Sequence, residues 1–274
     1  MSEFRPPLHE PGRSPFGDDD PTVRTRTETV PAYRDFAGLS TRARRPRLIR
    51  RIVRLTFWTA TLALAAILAL LVVYRFVDPP TTTLILGQRL AGIAIDRRPV
   101  PLARVSPNLL RAVIASEDGQ FCRHRGVDWR ELGAAIDAGQ GGARGGSTIS
   151  MQVVKNLFLW PSKSYVRKAL EIPLTLVMEL LWPKQRIMEV YLNIAEWGPG
   201  VFGAEAASRH HFNKPARALT EQEAALLAVS LPNPAGREAG DPGPGTQRLA
   251  DRLLVRMRAI GTRAACVTQG AAGR

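Results

Sequence analysis

Two acids, Glu117 and Asp118, stand side by side in "ASEDGQFCRHRG", residues 115–126, at the end of an apolar run. A carboxyl beside buried aromatic surface is pushed towards its neutral form and can then act as a general base near neutral pH. Phe121 supplies such surface, and His124 follows it. The plainer reading is a solvated helix end, although acids there oppose the helix dipole. A metal site fits poorly. Glu117, Asp118 and His124 lack the i, i+4 spacing of ligands on one helix face, and no second His or Cys cluster supports them.

A second stretch, "GGSTISMQVVKN" at 145–156, opens on glycines that let a ligand approach the backbone. Gly146 belongs to that loop. Ser147 and Thr148 can cap the following helix and present hydroxyls, Gln152 and Asn156 lie further along it, and Lys155 adds a cation. The glycine and lysine spacing does not match a nucleotide-binding P-loop. A third stretch, "KSYVRKALE" at 163–171, sets Lys163, Arg167 and Glu171 at i, i+4, i+8, with Lys168 beside them. That pattern is either a surface ion-pair ladder or a cationic face for phosphate.

The elements that must position these residues read as mainly helical. "SPNLLRAVIASED" carries Ser106 at an N-cap, Pro107 at the first helical position, and an apolar face of Leu109, Leu110, Val113 and Ile114. Further helical patterns cover "WRELGAAIDAG", "STISMQVVKNLF", "SYVRKALEIPLTLVMELLW", "PKQRIMEVYLNIAEWG" and "GVFGAEAASRHHF". Pro173 interrupts the fourth of these as a kink or early-turn residue. Thr220 and Glu223 have capping-box spacing before "AALLAVSLPNP". No repeat and no sheet-forming series is evident.

Upstream, Leu55 to Val77 is a 23-residue run without charge until Arg75. As a helix it spans about 35 Å, enough for a bilayer core of roughly 30 Å. Thr41 to Arg54 before it holds seven arginines and no acid, which places the N-terminus on the cytoplasmic side. The run is too long for a signal-peptide core, so it reads as an uncleaved anchor. The formal net charge is +14, which points to an anionic partner. Anionic lipid beside the basic run accounts for much of it, and nucleic acid lies in the wrong compartment. Cys122 and Cys266 are the only cysteines; two are too few for a disulfide framework or zinc cluster, so they are expected to be free and incidental.

The organisation expected is therefore a disordered basic cytoplasmic tail over 1–54, a membrane helix over 55–77 and an extended, partly stranded connector over 78–105. A helical domain follows over 106–234, and then a C-terminal tail over 235–274 with one amphipathic helix near 246–262.

"EDGQFCRHRG" at 117–126, "GGSTISMQVVKN" at 145–156, "RKALE" at 167–171 and "RIMEVYLNIAEWGPGVFGAEAASRHHFNK" at 186–214 resemble, in order, the motifs of the family 51 peptidoglycan glycosyltransferases. The resemblance reaches from about residue 95 to 234. It implies a mainly α, lysozyme-like, bilobed domain, with one lobe dipping into the membrane. The implied reaction joins lipid II to a growing glycan strand at the outer face of the inner membrane. It inverts MurNAc C1 and releases undecaprenyl pyrophosphate.

On that resemblance Glu117 is the general base and Glu171 the second family carboxylate. Lys155, Arg167 and one of Lys163 and Lys168 assist the pyrophosphate. Gly146, Ser147, Thr148, Gln152 and Asn156 line the cleft, and Asp118, Phe121 and His124 form the wall behind the base. No metal site and no obligatory cofactor are implied; a divalent cation at the pyrophosphate stays open. The partners implied are lipid II, the glycan chain, membrane lipids and a cell-wall synthesis complex. Where the family often has a first glutamine after "GGSTIS", this chain has Met151. With no Ser-x-x-Lys module downstream, a chain without transpeptidase activity is expected. Two other readings are a lytic glycosidase, which has no use for the Lys155/Arg167 cations, and a membrane-anchored scaffold, which has no use for Glu117.

Overall fold

The computed structural model describes residues 45–137, 146–161 and 164–268. Its helices are α1 (Arg45–Tyr74), α2 (Thr83–Leu90), α3 (Pro107–Glu117), α4 (Trp129–Asp137), α5 (Ile149–Phe158), α6 (Tyr165–Leu181), α7 (Lys184–Ile194), α8 (Ala204–Phe212), α9 (Glu221–Ser230), α10 (Pro244–Ile260) and α11 (Ala265–Thr268). Three short strands, β1 (Asp96–Arg97), β2 (Glu196–Gly198) and β3 (Val201–Phe202), form a sheet in the order β1-β3-β2. β1 runs parallel to β3 and β2 antiparallel to it. Contacts gather the residues from Thr56 onward into one compact unit, separate from those up to Leu55.

Within α1, Arg47–Tyr74 is long and apolar enough to cross a membrane. Its C-terminal turn is docked on the domain. Leu71 is fully buried, and its carbonyl accepts a 2.7 Å bond from the Trp182 indole. Tyr74 stacks on Phe158. Arg186 of α7 donates to the carbonyls of Tyr74 and Val77 at 3.0 and 2.8 Å and to Asp78 at 2.9 Å. A guanidinium bonded to several carbonyls holds a chain direction as well as a position, so the end of α1 enters the domain through a built joint.

The core forms around α3 and α9. α3 buries Leu109, Leu110, Ala112, Val113 and Ile114, and α9 buries every residue from Ala224 to Ser230. A helix apolar all round is an interior helix. α10 packs on both of them. Caps begin these helices where the residues suggested: Ser106 accepts from the Asn108 amide, and Thr220 and Glu223 form a capping box. α5 lies against α6 and α7.

Several expectations change; besides those below, residues 45–54, expected in a disordered tail, belong to α1, while residues 1–44 of that tail lie outside the described residues. Residues 83–90 are helical rather than extended, because Thr82 caps them by accepting from the Ile85 amide and Ile85 is buried. β-branched residues at this position pack a helix face instead of a strand. A sheet exists after all, but its strands are two or three residues long, too short to leave a period in the sequence. Gly200 shows how tightly it is closed: its φ is +74°, and a Cβ there would lie 2.3 Å from the Ala94 carbonyl oxygen.

The third change concerns the cysteines. Cys122 and Cys266 are not free but form a disulfide with Cα atoms 5.7 Å apart, across a sequence separation of 144. Counting cysteines tests for a framework, not for one pair that the fold brings together. Closing so long a loop removes denatured-state entropy on the order of 5 kcal/mol in the chain-entropy account.

Candidate active site

Glu117 is the last residue of α3, and Asp118 is its C-cap. The two carboxylates diverge from there. Glu117 accepts at 3.2 Å from the Ser116 hydroxyl and at 3.2 Å from the Gln152 amide of α5. Gln152 is oriented in turn by the Tyr191 hydroxyl of α7, which donates to its Oε1 at 3.4 Å. Burial raises the Glu117 carboxyl above the ordinary glutamate range, the Gln152 and Ser116 bonds and Lys155 opposing it in part. The Tyr191 phenol is pushed up strongly, first by burial and then by Glu117 and Asp118.

Asp118 points the other way, into the wall. His124 Nε2 lies 2.9 and 3.0 Å from its two oxygens, and the Ile149 amide at the start of α5 donates to Oδ2 at 3.0 Å. Asp118 thereby joins the α3 terminus to the α5 N-terminus. Thr148 caps α5, its Oγ1 accepting from the Met151 amide and donating to the Gly126 carbonyl. Phe121 is fully buried, edge-on to His124 and 4.3 Å from the Lys184 ammonium. Gly146 and Ser147 precede the cap and are half-buried.

On α6 a second glutamate has the opposite surroundings. Glu171 is 1% exposed and pairs with Arg167 at 2.5 Å and Lys168 at 3.1 Å. Lys168 also reaches the Met151 sulfur at 3.9 Å, so the residue standing at the departing position packs against the cationic set. Lys163 lies outside the described residues.

Lys155 of α5 stands electrostatically between the two glutamates. Burial lowers its ammonium below the ordinary lysine range; Glu171 and Glu117 oppose the shift, while Arg167 and Lys168 reinforce it. Lys155 and Asn156 line a hollow of about 100 Å³ with Thr83, Leu84, Leu159 and Pro161. Thr83 ties that side together, donating to the Asn156 and Leu159 carbonyls.

The structure thus gathers Glu117, Gln152, Lys155, Arg167, Lys168 and Glu171 through α3, α5 and α6. It sets Asp118, Phe121, His124 and Thr148 in the supporting wall. Residues not singled out from the sequence complete that wall. Ser150 donates to Glu179 at 2.5 Å, and Lys184 bonds the same oxygen at 2.8 Å. Burial lowers the Lys184 ammonium against the pull of Glu179 and Asp118. Glu179 and Lys184 span the α6–α7 break, so no helical period connects them. Tyr191 stood inside the motif at 186–214 with no sign of which atom it would hold. Among the described residues no group of three or more His, Cys, Asp or Glu side chains is placed to hold a metal ion.

Comparison with known proteins bears on the family of the chain. The family model described as Transglycosylase matches residues 86–258. A protein of Agrobacterium fabrum named biosynthetic peptidoglycan transglycosylase is 52% identical over 190 residues, covering 69% of this chain and 84% of the relative. Proteins of the same name from Rhodospirillum centenum and Rhizobium leguminosarum bv. trifolii are 54% and 48% identical, covering 69% and 81% of this chain and 81% and 94% of their own lengths. With the matched residues running from α2 through most of α10, and the fold mainly helical and lysozyme-like, the chain belongs to the transglycosylase family.

Proposed function

We propose that this protein is a peptidoglycan glycosyltransferase that polymerises lipid II into glycan strands and releases undecaprenyl pyrophosphate. The observation that carries the reading is a pair of glutamates, Glu117 half-buried and Glu171 fully buried, in opposite surroundings with a lysine between them. Glu117 is held by neutral donors and its carboxyl is raised, as suits a group that must accept a proton. Glu171 is held by two cations that face an anionic leaving group.

In the reaction the 4-hydroxyl of the acceptor GlcNAc attacks C1 of the donor MurNAc. Its proton passes to Glu117 as the new C–O bond forms, and the bond from C1 to the pyrophosphate oxygen breaks with inversion from α to β. Lys155, Arg167 and Lys168, with Lys163 near them in sequence, offset the charge gathering on the departing pyrophosphate. Glu171 keeps Arg167 and Lys168 aimed. Gly146, Ser147, Gln152 and Asn156 border the cleft, while Asp118, Phe121, His124 and Thr148 back the base. The donor is already activated on its lipid, so the reading requires no resident cofactor; a divalent cation can add to the cations at the pyrophosphate.

A lipid-linked substrate also calls for a membrane-facing surface. α1 offers an anchor, and Tyr165, Val166, Leu170 and Leu180 of α6 and Leu90 of α2 are exposed apolar residues. The arginines at 42–54 favour a cytoplasmic N-terminus, which puts the domain on the outer face of the inner membrane, where a cell-wall synthesis complex can engage it.

The test is Glu117→Gln in full-length protein given labelled lipid II. Loss of polymer by roughly 10²–10⁴-fold with folding intact is expected. Near-normal polymer from that variant would refute the reading, as would cutting of preformed glycan by the wild-type protein.

A further inference from the structure

The Cys122–Cys266 bond is the one covalent link between the acid stretch and the C-terminal segment, and the mechanism above makes no use of it. Cys122 lies four residues after Asp118 and two before His124, in the irregular stretch between α3 and α4. That stretch is held largely by turns within itself: Phe121 N to Asp118 O, and Arg123 N and His124 N to Gln120 O. His124 is oriented from one side, since its buried Nδ1 has no partner among the described residues.

Cys266 sits on α11, a single turn that could not persist alone. α11 buries Val267 and packs on α3 and α7. Those two helices frame the base: α3 ends in Glu117, and α7 carries Tyr191, which orients Gln152, which holds Glu117. The disulfide therefore joins the wall of the site to the piece of structure that braces its two supporting helices.

We propose that the Cys122–Cys266 disulfide is a positioning element for Glu117, holding the Asp118–His124 stretch against α3 and α5 so that water stays out from behind the base. The proposal rests on Glu117 being the base. It also assigns a role to residues 261–268, as the bracket to which the acid stretch is bolted. Forming the bond removes two protons and two electrons from the thiols, and the electrons reduce the disulfide of a thiol-oxidising partner to a dithiol. Such oxidants work outside the cytoplasm. A newly made, reduced chain then has a loosened site until its domain has crossed the membrane.

The experiment compares full-length oxidised protein in detergent with the same protein reduced by a phosphine, thiol titration confirming reduction, and with the Cys122→Ser/Cys266→Ser double variant. Lipid II polymerisation is followed against pH, and amide hydrogen exchange is measured over 118–126. On reduction kcat is expected to fall by about tenfold to a hundredfold with KM little changed. Water reaching Glu117 draws its carboxyl back towards the ordinary range, so the acid limb of kcat moves to lower pH. Exchange over 118–126 rises.

A merely structural bond would lower Tm and leave kcat and its acid limb unchanged well below Tm; that result overturns the proposal. If the double variant fails to fold, the reduced wild-type protein decides. If the oxidised protein makes no polymer, the reading of the reaction fails separately, and unchanged exchange over 118–126 on reduction would still overturn the positioning role.

Discussion

Glu117 and Glu171 are glutamates 54 positions apart, the first half-buried and the second fully buried, and almost everything else about them differs too. Glu117 ends a helix and accepts from a hydroxyl and an amide, so its direct partners are dipoles, with Lys155 acting on it only through the field. Glu171 sits mid-helix between Arg167 and Lys168, so its charge is met by charge. A carboxylate satisfied by cations has little left to give a substrate proton. One kept in a poorly solvating pocket gains by taking that proton up. The protein has made one residue type into two tools by choosing the partners.

The comparison breaks most completely at Glu117. Glu117→Gln keeps shape and hydrogen-bonding capacity but removes the proton acceptor, and in the same samples that lose activity its thermal stability should move the other way. The native carboxyl is raised, so the folded state holds its proton longer than the unfolded chain does. That contribution is full below the unfolded value and is lost as pH rises through the folded one. At neutral pH the wild-type protein therefore carries a cost that Gln does not. A Tm above wild type at pH 7.5, with the difference gone at pH 4, is the expected result; a lower Tm at pH 7.5 would contradict the burial argument.

Glu171→Gln reverses the pattern. It removes the one carboxylate that pairs with both Arg167 and Lys168, and should destabilise the fold by on the order of 3 kcal/mol, as seen in chemical unfolding. Polymerisation falls because Arg167 and Lys168 lose their aim. Stability equal to wild type would mean the pair is solvated after all.

Lys155 links the two regions, and Lys155→Ala should weaken lipid II binding about tenfold, by analogy with a charge-assisted bond, while binding of a neutral glycan barely changes. Equal losses for both ligands would remove its pyrophosphate role. Because burial lowers Lys155 and raises Glu117, the wild-type pH–rate profile should be a bell narrower on both sides than ordinary glutamate and lysine would give.

The finest adjustment is at Gln152. Its bond lowers the Glu117 carboxyl against burial, so Gln152→Leu should push the acid limb of kcat to higher pH and cost several-fold at pH 7. A limb that stays put would show that Ser116 alone sets the group.

How far these features could be read from residues depended on their reach along the chain. The α3 terminus at Glu117, the Ser106 cap, the Thr148 start of α5 and the Thr220–Glu223 box are local, and each appears where the residue types suggested. Arg167, Lys168 and Glu171 share a helix, so their pairing follows from i, i+3 and i, i+4 spacing. The helix at 83–90 was less legible, because its burial on α5 outweighs the strand propensity of its residues. The C-terminal helix was visible as an amphipathic pattern, but not that α3 and α9 would be its partners.

By itself, then, the sequence determined the helical class, the membrane-length helix, the caps and the motif order that marks the family, since all of these are properties of neighbouring residues. The tertiary structure alone decided that Asp118 turns into the wall while Glu117 faces Gln152. It alone set Tyr191 behind that amide, joined Glu179 to Lys184 across a helix break, and paired Cys122 with Cys266. Each of these depends on which helices pack together. Packing is a sum over apolar surface from the whole chain, whereas the chemistry depends on a few atoms placed within an ångström. In "ASEDGQFCRHRG" the chemistry of the two acids is local, and the division of their partners, Gln152 for one and His124 and the α5 terminus for the other, is not.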